Sequence, residues 1–116
     1  MMPTMVAAIL RQVVNGSGKS EEKAALVGAL RRQLGRALTE ERWHFADHFC
    51  DKILAEDPNH LESWLVKGHL AWRVFNEPTE AVSHFRRVVI LGGFESANEC
   101  VAQARASLAR LLAQLA

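Results

Sequence analysis

The chain has 116 residues and a mass of 12.9 kDa, which is room for one domain and not two. Hydrophobic residues at 49% and charged residues at 23% exclude disorder over most of the length. Fourteen basic against thirteen acidic side chains leave a net charge of +1, which excludes a global field drawing the protein to nucleic acid or to an anionic membrane.

Alanine and leucine dominate, with three prolines and no tyrosine, so an all-α fold is expected. Six helices are predicted. The first, about Met5–Val14, carries Val6, Ile9, Leu10, Val13 and Val14 at i, i+3, i+4, i+7 and i+8. Asn15-Gly16-Ser17-Gly18 is expected to break it. The second, about Glu21–Leu34, has Ser20 as its cap, Glu21 and Glu22 in its first turn, and Gly35 as its stop. The third starts at a cap on Thr39, with Leu38 and Trp43 placed to form a hydrophobic staple, and ends before Asp57-Pro58-Asn59. The fourth covers about His60–Phe75. The fifth, Thr79–Leu91, follows Pro78 and stops at Gly92-Gly93. The last runs from Ala97 to about Leu115. Ser96 and Glu99 form a capping box before it, and Ala97, Val101, Ala104, Leu108, Leu111 and Leu115 repeat at 4-3-4-3-4 spacing, a seam that requires another helix. Cys50 and Cys100 lack any paired-cysteine spacing and read as reduced thiols, with a single disulfide between them as the alternative. The apolar run Met5–Leu10 is cut short at Arg11, so no signal peptide is expected, and no stretch nears the roughly 20 apolar residues of a membrane span. A cytoplasmic protein is expected.

The chemistry-bearing motifs are weak. Gly16-Ser17-Gly18-Lys19-Ser20 looks like the end of a phosphate loop. Val13 stands where the first glycine is needed, and a helix precedes it instead of a strand, so no nucleotide and no other cofactor is expected. His44 and His48, spaced i, i+4 beside Asp47 and Asp51, could ligate a metal but lack an obvious third ligand from elsewhere, so no metal is expected. No serine or cysteine has an adjacent base, so no enzyme is expected.

Trp64, Gly68 and Ala71, then Ala81, Phe85 and Val88, preceded by Ala46, Cys50, Ile53 and Pro58, follow the offsets of a helical repeat of about 34 residues. This pattern, over about Thr39–Leu91, resembles the tetratricopeptide-repeat family. The alternative is an unrelated helical bundle. The resemblance implies a stack of antiparallel helical hairpins in which Trp64 and Gly68 serve the packing. It also implies that Glu62, Leu65, His69 and Trp72 face a concave groove. An apolar groove implies an apolar guest, typically an amphipathic helix. The competing reading has the last helix fold back and bury these residues. Gly16-Ser17-Gly18 followed by Glu21-Glu22-Lys23-Ala24, the Leu34-Gly35 end, and Leu61-Glu62-Ser63-Trp64 further resemble the type III secretion needle-subunit chaperones. That resemblance implies a chaperone that holds an amphipathic helix of a polymerising subunit, with a small helical co-chaperone as a further partner. The alternative is a general repeat scaffold or adaptor acting as a homo-oligomer.

Overall fold

A computed structural model describes the backbone from Met2 to Ala116 and the side chains from Ser20 onward. The described residues form five α-helices and no strand: α1 Met2–Thr39, α2 Trp43–Glu56, α3 Leu61–Arg73, α4 Pro78–Gly92 and α5 Glu99–Leu115. The all-α class holds, with five helices instead of about six. The break expected at Asn15-Gly16-Ser17-Gly18 is absent, and α1 also runs through the stop expected at Gly35. Glycine lowers helix stability by about 1 kcal/mol against alanine but forbids no helical dihedral, and helix-forming flanks carry the ladder across. Ser20 is therefore interior to a helix and caps nothing. The Val6–Val14 stripe lies outside the residues whose side chains are described.

The remaining helix ends follow from local chemistry. Thr39 is the last residue of α1, not the cap of the next helix, and its hydroxyl donates to the Gly35 carbonyl at 2.9 Å. The N–H of Arg42 then donates to the Ala37 carbonyl and that of Glu41 to the Leu38 carbonyl, with Glu41 left-handed at φ 57°. This paired reach-back satisfies two orphan carbonyls and turns the chain into α2. His60 caps α3 through Nδ1, which accepts from the Ser63 N–H at 3.3 Å and lies 2.8 Å from the buried Ser63 hydroxyl. Pro78 opens α4, where its missing N–H costs nothing. Asn98 caps α5 by accepting from the Cys100 N–H at 2.8 Å, two residues after the expected Ser96, whose hydroxyl instead accepts from the Asn98 N–H.

Short loops make sequence neighbours pack side by side, and α5 also reaches back onto α3. The core divides into two clusters with α3 shared between them. Leu34 and Ala37 of α1 meet Ala46, Cys50 and Ile53 of α2 and Leu70 of α3. Leu65 and Ala71 of α3 meet Ala81, Phe85 and Val88 of α4 and Val101, Ala104 and Leu111 of α5. The seam of the last helix thus finds its partner inside the chain. Gly68 lets α4 close on α3: a Cβ there would stand 2.5 Å from the Phe85 ring. Burial holds the free Cys50 thiol protonated, its pKa pushed up to about 12.

Candidate protein-binding groove

The four residues assigned to an open groove do not share one. Leu65 is only 7% exposed and belongs to the α3–α4–α5 cluster. Trp72 is half-buried on the same cluster, edge-on to Phe85 at 6.2 Å, and its indole N–H donates to Gln114 Oε1 of α5 at 3.3 Å. The fold-back of α5 therefore closes the side of α3 that carries Leu65 and Trp72. The periodicity of α3 marks those positions as apolar, but only the tertiary arrangement says what covers them. Trp64, assigned to packing, is half-buried and donates its indole N–H to the Pro58 carbonyl at 2.8 Å. Glu62 stays at the surface and pairs with Arg31 of α1 at 2.9 Å.

His69 marks where a groove remains open. Among the described residues α1 and α3 have no close backbone approach; they meet through side chains and through the Arg31–Glu62 pair. Where the end of α1 and the start of α2 face α3 lies a cavity of about 320 Å³, lined by Leu38, Trp43, Val66, His69, Leu70, Arg73 and Val74. Its walls are apolar apart from the His69 ring and the Arg73 head. Nearer the start of α3, a second cavity of about 490 Å³ is lined by Lys23, Ala24, Val27, Gly28, Arg31, Asp57 and His60, with Ser20 at its edge. The second lies between α1 and the turn that leads into α3, with Arg31 of the Arg31–Glu62 pair on its wall. Leu38, Val66, Arg73 and Val74 were not among the expected site residues. Their signal was present: Val66, Leu70 and Val74 form a second apolar stripe on α3 at i, i+4 and i+8, the mark of a helix apolar on two sides.

A larger cleft, about 650 Å³, has a mixed polar lining that includes His44, Asp47, Lys67, Phe75, Glu77, Glu80 and His84. Lys67 occupies its wall. The Nζ donates to Asp47 at 2.8 Å and to Asp51 at 2.6 Å, clipping α3 to α2 with a side chain only 12% exposed. Burial alone would lower the Lys67 pKa, but the two carboxylates outweigh it and raise it. The His44/His48 face considered for a metal is thus already served by an ammonium, while His44 stacks on Phe75 and His48 tilts against Phe49. Among the described residues no group of three or more His, Cys, Asp or Glu side chains is placed to hold a metal ion. No helix among them is long and apolar enough to cross a membrane. The Gly16–Ser20 segment is helical, so its backbone N–H groups serve the helix ladder and offer no phosphate cradle.

Burial holds two histidines below the ordinary histidine value of 6.5, His69 with a further contribution from Arg73 and His84 with one from Lys67. A base held down in the folded state takes its proton more readily when unfolded. Their contribution is intact above pH 6.5 and is lost as the pH falls from there towards the folded-state values. The melting temperature is expected to drop between pH 7.5 and 5.5, and less steeply in a His69→Gln/His84→Gln variant. Equal slopes for the two proteins would refute this.

Comparison with known protein families, curated proteins and solved structures finds no match.

Proposed function

We propose that the chain is a protein-binding helical module that holds an amphipathic helix of another protein between α1 and α3. The observation that carries this reading is the apolar cavity lined by Leu38, Val66, Leu70 and Val74, left open where α5 has closed the other side of α3. Such a guest needs an apolar trough and flanking polar contacts, not a reactive group. Of the residues that the resemblance assigned to the partner, His69 lines this groove, Glu62 pairs with Arg31 beside the second cavity, and Leu65 and Trp72 belong to the core on the other side of α3. The needle-chaperone resemblance of Gly16–Ala24, Leu34-Gly35 and Leu61–Trp64 supplies the finer reading. On it, the guest is the polymerising helix of a secreted subunit, kept from assembling in the cytoplasm.

The test is affinity purification of the full chain from its native host, with the recovered proteins identified by mass. A small secreted helical subunit in a stoichiometric complex, lost with Val66→Asp, supports the chaperone reading. Burying an anchor at an interface centre commonly carries about 2 kcal/mol, so Val66→Asp should weaken the complex roughly 30-fold or more. Recovery of the chain only with itself supports the homo-oligomeric scaffold instead.

A further inference from the structure

We propose that the guest helix is acidic, and that it crosses α1 closely over Gly28 and Gly35. This rests on the groove reading above and adds the guest's charge and its register.

Gly28, Arg31, Gly35 and Leu38 follow one another at i, i+3, i+7 and i+10, so they share one face of α1, with Gly28 and Arg31 lining one cavity, Leu38 the other and Gly35 between them in sequence. Nothing in the chain requires glycine at either position. A Cβ on Gly35 would meet no atom within 4 Å, and one on Gly28 would meet only the Arg32 guanidinium at 3.8 Å. Glycine lowers helix stability relative to alanine, yet α1 keeps two of them seven residues apart on this face. Bare backbone there lets a second helix approach more closely than side chains would allow.

The charge of the groove edge selects the guest. Lys23, Arg31 and Arg32 lie along α1, and Arg73 closes the apolar end from α3. Arg31 pairs with Glu62, but Lys23, Arg32 and Arg73 have no carboxylate within ion-pair distance among the described residues. The Arg73 guanidinium lies 3.9 Å over the Trp72 ring, which holds it in place at the rim. Against these cations the two cavities are lined by one carboxylate, Asp57, which keeps its charge while accepting from the Asn59 N–H. Two helical segments of a second copy of the chain fit this edge poorly. Its amphipathic N-terminal stretch, residues 2–19, carries Arg11 and Lys19 and no acidic residue, and α5 has Arg105 and Arg110 against Glu99. A foreign helix with carboxylates flanking an apolar face is complementary. From Gly28 to Leu38 the face spans about 15 Å, so the guest contributes about three turns.

Two synthetic 18-residue peptides test this on the full chain. They share one Leu/Ala apolar face and differ in carrying Glu or Lys along its edges. The Glu peptide is expected to bind at least tenfold more tightly at low salt, with the advantage shrinking as salt rises. Arg73→Glu should remove that advantage. Gly35→Leu should weaken the Glu peptide at least tenfold while the melting temperature stays level or rises, since the new side chain enters open space. Equal, salt-independent binding of both peptides would overturn the acidic guest and leave the groove reading standing. Binding of neither would overturn both. Unchanged binding by Gly35→Leu would overturn the register, and a chain dimer dissolved by Gly35→Leu would make a second copy the occupant.

Discussion

Phe85→Ala is expected to cost about 3–5 kcal/mol, a large part of the 5–15 kcal/mol that stabilises a domain of this size. Phe85 is fully buried and is the largest side chain in the core. Its ring underlies α3 at Gly68, receives the His69 ring edge-on at 5.1 Å and the Trp72 ring at 6.2 Å. Removing it leaves a cavity that the helices cannot collapse without shifting α4 against α3, so the loss of transfer energy and the void add. The denaturant midpoint should fall with little change in slope, and the melting temperature should fall by about 10 °C or more. A loss below about 1 kcal/mol would mean that α3 and α4 do not pack as described.

Gly68→Ala is expected to destabilise by about 1–3 kcal/mol, although alanine is the better helix former. The added methyl would stand 2.5–2.9 Å from three carbons of the Phe85 ring, closer than packed atoms approach. Relief requires either a shift of α4 or an off-rotamer ring. A double-mutant cycle isolates the contact. Phe85→Leu removes the ring carbons that the methyl meets, so the paired variant should lose less than the sum of the single variants, by at least 0.5 kcal/mol or so. Gly35→Ala is the matched control. Its methyl meets nothing, so the same substitution there should stabilise by about 0.5–1 kcal/mol. Equal effects at both positions would show that helix propensity alone acts and that the close approach is absent.

Much of the fold was legible locally. The offsets of Trp64, Gly68, Ala71, Ala81 and Phe85 already singled out Gly68 as a glycine that packs, and Pro78 marked the start of α4, whereas the glycines expected to break or stop helices at positions 16, 18 and 35 lie inside α1. The site was legible only in part. Leu65 and Trp72 were read as apolar and were apolar, but their partner was the chain's own α5. Val66 and Val74 line the open cavity but are not among the residues that the repeat resemblance places in a groove. Lys67 lies between Val66 and Gly68, and nothing local announces that Asp47 and Asp51 of another helix will meet it.

The sequence by itself determined that the chain is helical, where most of its helices lie, and which faces must be covered. These follow from residue propensity and from the 3.6-residue period, both of which act within a few turns of one chain. It did not determine that Gly16 to Gly18 stay helical, since the cost of glycine is finite and its outcome depends on what the neighbouring turns contribute. Nor did it determine which apolar face remains open. The seam from Val101 to Leu111 needed a partner and could have found it in another molecule; the tertiary structure seats it on α3 and α4 and leaves the trough beside Leu38, Val66 and Val74 uncovered. Periodicity records that a face is apolar, but burial is a property of the two surfaces that meet, and only the arrangement of distant segments says which two those are.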